Sequence, residues 1–207
     1  ALIDMDAKCG MIGKAQEIHD DLFIHDIISW NALIRGYIQQ GKGHEALGCF
    51  EKLQNEGLLP NSVTFSCVLK ACGIIGDIEK GTQIHDEIVN QSLLMEDVVL
   101  ATALVDMYAK CGMVLRAQQI HNELCFRDTA FWNALIAGFA QHGHGHDSLN
   151  CFEKMQKEGI SPNAITFISI VKACCSIGDI AKGNLIHDEI VNRGFLDKDV
   201  LLGSALV

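Results

Sequence analysis

Apolar residues recur at helical spacing along nearly the whole chain. Between residues 27 and 61 the first stripe is Trp30, Leu33, Ile34 and Tyr37, at i, i+3, i+4 and i+7, which predicts an amphipathic helix. Gly41-Lys42-Gly43 interrupts it. A second stripe follows at Ala46, Leu47, Phe50 and Leu53, then Gly57 supplies a C-terminal stop and Pro60 prevents continuation. In the next stretch Thr64 and Asp77 are the expected N-caps. No segment sustains the period-2 alternation of a half-buried strand, so the chain is expected to be all-α.

The pattern also repeats at long range. Ala103-Leu104-Val105-Asp106-Met107-Tyr108-Ala109-Lys110-Cys111-Gly112 restates the opening Ala1–Gly10, and Ala205-Leu206-Val207 begins it again. At an offset of 102, 60 of 105 residue pairs are identical, which excludes chance similarity. Within this period a phrase ending in Ile-His recurs at His19, His85, His121 and His187, and a Lys-Cys or Lys-Ala-Cys phrase ends at Cys9, Cys72, Cys111 and Cys174. Three unequal units per period account for both: 27–61, 62–97 and 98–128, then 129–163 and 164–199, with partial units at 1–26 and 200–207. Each unit is one helical hairpin. Hairpins that cannot bury their apolar faces alone stack into one core, so the expected fold is an α-solenoid of helix-turn-helix repeats wound as a right-handed superhelix. Both ends fall inside a repeat, so a longer array is expected, with any targeting segment outside this stretch.

Composition narrows the partners. The hydrophobic fraction is 49% and the net charge −10. Disorder is thereby excluded, and the acidic balance argues against non-specific nucleic-acid binding through charge alone while leaving room for a locally basic face. No run of 18 apolar residues suggests a membrane span.

The cysteines and histidines offer chemistry at first sight. Nine Cys are present, but Cys9/Cys111, Cys49/Cys151 and Cys72/Cys174 are copies 102 apart, and no C-x-x-C occurs. They read as small buried hydrophobes in a reducing compartment. One histidine per structural unit suits packing better than catalysis. His142-Gly143-His144-Gly145-His146 falls at an interhelix turn and brings no thiolate or carboxylate at metal spacing. His85-Asp86-Glu87 and His187-Asp188-Glu189 match half of a zinc deaminase signature, but the P-C-x-x-C half is missing. Gly36 with Gly41-Lys42 has P-loop spacing, but Gly43 stands where a metal-binding hydroxyl is needed. The sequence therefore predicts no catalytic site, no cofactor and no metal.

Trp30-Asn31-Ala32-Leu33-Ile34, the terminal Pro60-Asn61 and the phrase Ala103–Gly112 resemble pentatricopeptide repeat proteins along the whole chain. Units of 35, 36 and 31 residues in turn resemble the plant PLS subclass, with P-, L- and S-type motifs. The resemblance implies an organellar, sequence-specific single-stranded RNA-binding array that reads one base per repeat. It further implies residence in a mitochondrion or chloroplast, C-to-U editing as a common task, and small editing factors docking on L-type units. In many relatives a deaminase-like domain follows the array. A protein-binding scaffold of tetratricopeptide type is the competing reading.

The same resemblance assigns base reading to the fifth and last residues of each unit. These are Asp26 alone, then Asn31/Asn61, Ser66/Asp97, Thr102/Asp128, Asn133/Asn163, Ile168/Asp199 and Ser204 alone. An Asp acceptor suits uracil N3–H and guanine N1–H, and an Asn donor suits cytosine N3 and adenine N1. The implied core is 5′-C-G-G-C-3′, and Ile168 reads nothing. Apolar second residues, Ile28, Val63, Val99, Ala130 and Ile165, are implied to sandwich the bases. First-helix segments hold Lys8, Arg35, Lys70, Lys110 and Lys172 against Asp4, Asp6 and Asp106, a surplus of two positive charges in an acidic chain. These five are the expected groove cations. An Asn kept at a unit's end also suits helix capping, so that alternative stays open here.

Overall fold

The computed structural model describes residues 2–94, 97–124 and 128–195. Among them are twelve α-helices and no strand. First helices of the hairpins are α1 (Leu2–Lys8), α3 (Ile27–Gln39), α5 (Ser62–Ile75), α7 (Val98–Lys110), α9 (Thr129–Gln141) and α11 (Ala164–Ile177). Second helices are α2 (Ile12–Asp20), α4 (Gly43–Asn55), α6 (Ile78–Asn90), α8 (Val114–Glu123), α10 (Gly145–Lys157) and α12 (Ile180–Asn192). The all-helical expectation holds over these residues.

The chain divides within α7 into two compact units, 1–107 and 108–207. In the first unit α1, α3 and α5 pack side by side, and α2, α4 and α6 back onto them. The second repeats this arrangement with α9 and α11 in one layer and α8, α10 and α12 behind. Cores lie between the layers. Leu33, Ile34, Phe50, Leu53, Phe65 and Leu69 are essentially inaccessible in the first, as are Phe131, Ile136, Phe152, Met155, Phe167 and Ile170 in the second. Phe50 meets Phe65 with ring centroids 6.4 Å apart, and Phe152 meets Phe167 at 6.1 Å.

Small residues set how closely the layers approach. A Cβ on Gly36 would stand 2.6 Å from the Ile12 Cδ1 and 2.7 Å from the Ala7 Cβ, so α3 lies against α1 and α2 only because that position is glycine. Gly138 meets Ala109 in the same way. The hairpin ends follow the sequence signals: Gly57 and Gly159 close α4 and α10 with φ of +76° and +78°, a conformation open to glycine at no cost.

One expected cap is displaced. Thr64 is not the N-cap of α5 but its third residue. Asn61 takes the cap, with extended backbone, because its side chain reaches the Thr64 N–H. Asp77 caps α6 as expected. The recurrent histidines also divide. His19, His85 and His121 are buried, and His19 and His121 pack at steep angles against Trp30 and Trp132 of the first helix that follows each of them. His187 is exposed; the residues that would follow it as a next first helix lie outside the described set. The cysteine reading is likewise only partly met: Cys49, Cys67, Cys72, Cys151 and Cys174 are buried, but Cys9 and Cys175 are exposed. Burial pushes the Cys49 thiol up to about 11 and the Cys151 thiol up to about 12, which keeps both protonated and inert.

Candidate functional site

Every described last residue of a unit caps the first helix that follows it. Asp26 Oδ1 accepts the Ser29 N–H at 2.7 Å, and Asn61 Oδ1 accepts that of Thr64 at 3.0 Å. Asp97 Oδ1 accepts from Val99 and Leu100 at 2.9 and 3.0 Å. Asp128 Oδ1 accepts the Phe131 N–H at 2.8 Å, and Asn163 Oδ1 that of Thr166 at 3.1 Å. The Ser29 backbone N–H, as the first cause, holds the Asp26 carboxyl below its usual value.

Capping and ligand reading do not compete for the same atom. A backbone N–H only donates, so the capping atom must be an oxygen. That fixes the Asn61 and Asn163 amides with Oδ1 against the helix and Nδ2 away from it. No protein partner holds either Nδ2 among the described residues. Where the last residue is Asp, the second carboxylate oxygen is the one left over. Each unit therefore offers one uncommitted atom at a constant place: a donor from Asn61 and Asn163, an acceptor from Asp26, Asp97 and Asp128. Asp199 and Ser204 lie outside the described residues.

The fifth residues lie deeper than their expected role suggests. Asn31 and Asn133 are each only 7% exposed. Each is brought to its partner: Asn31 Nδ2 stands 3.5 Å from Asn61 Oδ1, and Asn133 Nδ2 donates to Asn163 Oδ1 at 3.1 Å. Thr102 is half-buried and its hydroxyl donates to the Val98 carbonyl at 2.7 Å. Ile168 is half-buried and offers no polar atom. The second residues are the reverse case. Ile28, Val63, Val99 and Ile165 are 72%, 44%, 64% and 59% exposed, and Ala130 is exposed too. Large apolar side chains left in water at one place in successive units are available to cover flat apolar faces.

Two cavities of the first unit collect these positions. One, of about 480 Å³, is lined by Arg35, Val63, Ser66, Lys70, Asp97 and Val99. It joins the Ser66/Asp97 pair, two second-place residues and two cations. Another, of about 430 Å³, includes Asp26, Ile28 and Leu2. Lys8 is tied to Asp4 at 2.6 Å, and that bond holds Asp4 below the usual carboxylate range. Arg35, Lys70, Lys110 and Lys172 are exposed. Among the described residues no three His, Cys, Asp or Glu side chains gather as metal ligands, and no helix is long and apolar enough to cross a membrane.

The sequence reading missed three partners. Trp30 Nε1 donates to Glu56 at 2.9 Å, and His25 bonds the other Glu56 oxygen at 2.8 Å. The Trp30 bond holds the Glu56 carboxyl below its usual range, with His25 adding to it. His19 stacks on His25 at 4.2 Å, and burial lowers its pKa, with His25 adding to that shift. The third is the hydroxyl of Thr64 and Thr166. Its signal was present: Asn61-Ser62-Val63-Thr64 and Asn163-Ala164-Ile165-Thr166 each place Thr three residues after Asn, the spacing of a reciprocal cap.

A family model described as PPR repeat family matches residues 25–73 and 127–176, and one described as PPR repeat matches 63–93 and 99–128. The chain is 36% identical over its whole length to pentatricopeptide repeat-containing protein At2g03380, mitochondrial, of Arabidopsis thaliana, covering 30% of that protein. It is equally similar to At1g11290, chloroplastic, from the same plant, covering 25% of it. Among solved structures, PPR10 in complex with an 18-nt psaJ RNA element matches 89% of the chain at a TM-score of 0.75 and 18% identity, over 28% of its own length. PPR10 from maize matches 99% of the chain at 0.74 and 20% identity, over 30% of its length. These structural likenesses show the fold, a helical-repeat solenoid. The chain spans between 22% and 35% of the length of the curated relatives it matches.

Proposed function

The chain belongs to the pentatricopeptide repeat family, and we propose that it is a sequence-reading module for single-stranded RNA, one base per repeat. The observation that carries this reading is the ladder of caps. In each described unit one oxygen of the last residue is spent on the next helix, and one atom of fixed donor or acceptor character is left over. A scaffold that binds protein needs the cap but gains nothing from a choice between Asn and Asp, which cap about equally well.

Asp26 then reads U or G, Asn31/Asn61 reads C, and Ser66/Asp97 and Thr102/Asp128 read G. Asn133/Asn163 reads C, Ile168/Asp199 reads nothing, and Ser204 reads a purine. Ile28, Val63, Val99, Ala130 and Ile165 cover the base faces. Arg35, Lys70, Lys110 and Lys172 serve the phosphates, and Lys8 is ion-paired with Asp4. The unit boundaries follow the sequence division, with PLS-type alternation. Mitochondrial and chloroplastic names among the relatives support an organellar setting, with RNA editing as the task. Selection from a random single-stranded RNA pool tests the reading. Enrichment of 5′-C-G-G-C-3′ is expected, with little affinity for duplex DNA and a shallow salt dependence because few cations face the groove. Equal affinity for duplex DNA contradicts it.

A further inference from the structure

We infer that Thr166, which lies in the unit after the one it serves, is a specificity-positioning residue that makes Asn133 and Asn163 a donor-only pair. This rests on the RNA reading above and adds a third residue to it. The Thr166 hydroxyl oxygen accepts the Asn163 backbone N–H at 3.0 Å. Its single proton has two acceptors in range, Asn133 Oδ1 at 2.6 Å and Asn163 Oδ1 at 3.1 Å, and the shorter contact takes it. Asn133 Nδ2 then donates to Asn163 Oδ1.

Counting donors and acceptors gives the consequence. Asn163 Oδ1 is filled by the Thr166 N–H and by Asn133, and the Thr166 hydroxyl engages Asn133 Oδ1 on a side chain only 7% exposed. Among the described residues, the atom of the pair left without a bond is Asn163 Nδ2, a donor. Cytosine presents N3 and O2 as adjacent acceptors on its pairing edge, whereas uracil puts N3–H there. A pair with no acceptor to offer takes cytosine and leaves the uracil N3–H unmatched. The hydroxyl is the part that decides this. Asn163 is oriented by its cap, and Asn133 by two bonds, its Nδ2 to Asn163 Oδ1 and the Thr166 hydroxyl to its Oδ1. Without the hydroxyl the Asn133 oxygen has no protein donor and is left to accept the uracil N3–H, so the site takes uracil as well.

Thr166→Val removes the hydroxyl at nearly constant volume, and Thr166→Ser keeps it. RNAs carrying each of the four bases at the fourth core position are bound to the wild-type chain and both variants, with thermal unfolding measured alongside. The preference for C over U is expected to fall roughly fivefold in Thr166→Val, the worth of one net hydrogen bond, and to survive in Thr166→Ser. Preference at the first core base, served by Asn31/Asn61, should stay unchanged. Should Thr166→Val not fold, Thr166→Cys replaces it: the weaker S–H donor predicts a smaller loss in the same direction. A wild-type C/U ratio in Thr166→Val, or equal weakening for all four bases, overturns the positioning role and leaves the RNA reading standing. A wild-type chain with no base preference at that position overturns both.

Discussion

The two copies of the 102-residue period share one scaffold and differ at the positions proposed to read bases. Helix lengths, aromatic seams and caps match between residues 27–90 and 129–192. Around the caps the copies diverge. In the second, Asn133, Asn163 and Thr166 form a closed relay. In the first, Thr64 points its hydroxyl at Asn61 Oδ1 at 3.0 Å, Asn31 reaches Asn61 only at 3.5 Å, and Asn31 Oδ1 is buried without a partner. The neighbouring groove differs too. Arg35 and Ser66 of the first copy are replaced by Ala137 and Ile168 in the second, while Lys70 and Lys172 match. The repeat keeps the core and the caps in both copies, and the side chains around the caps differ.

The largest effects should ignore that divergence. Phe50 and Phe152 are 1% and 2% exposed and hold equivalent seams. Phe50→Ala and Phe152→Ala should each cost ~3–5 kcal/mol in denaturant melts, within about 1 kcal/mol of each other. A much cheaper change at one of them would break the equivalence of the scaffolds.

That shared scaffold is also the part the sequence made legible. The stripe at Trp30, Leu33, Ile34 and Tyr37, the glycine stops and the 102-residue offset were enough for helix order and pairing, because burial periodicity is written into each unit. The site was legible only in outline. Its positions were carried by the family resemblance, and what each position does depends on contacts across units. Nothing in the text around Asn133 says that it is 7% exposed, or that Thr166, 33 residues later, fills its oxygen. The cap at Asn61 is legible in the sequence, because Thr64 stands three residues after Asn, the spacing of a reciprocal cap.

Next in size is the groove cation present in one copy only. Arg35→Ala should weaken RNA binding by about 1.5 kcal/mol at low salt, the worth of a charged hydrogen bond. It should also lower the slope of log K against log salt by ~0.7. Ala137→Arg should move both quantities the other way. If Ala137→Arg left the slope unaltered, the second copy's groove would not be following the phosphates.

The smallest contrast lies at the paired tryptophans. Trp30 donates to Glu56, whereas Trp132 Nε1 is buried with no hydrogen-bond partner. Trp30→Phe should cost ~1 kcal/mol more than Trp132→Phe, as one net hydrogen bond is lost in the first case only. The difference has a pH signature. Glu56 is held below its usual value of 4.5, so its contribution is full above that pH and is lost as the pH falls through the lowered folded value. Melts at pH 7 and pH 3 should therefore show the gap between the two variants shrinking in acid. His19 acts in the same direction at higher pH. Its folded pKa is lowered from 6.5 by burial, so its protonation starts to destabilise the fold as the pH drops below that value.

Asn163→Asp tests the central claim most directly, because the cap survives the change. Asp offers the same oxygen to the Thr166 N–H and replaces the outward NH2 with an acceptor. Binding to four RNAs that differ only at the fourth core base should show preference moving from C toward U, with ~1–2 kcal/mol of changed discrimination. The other core positions should keep their bases, and the melting temperature should hold. Uniform loss of affinity for all four RNAs would make Asn163 a cap and nothing more, and would contradict the assignment of one base to each repeat.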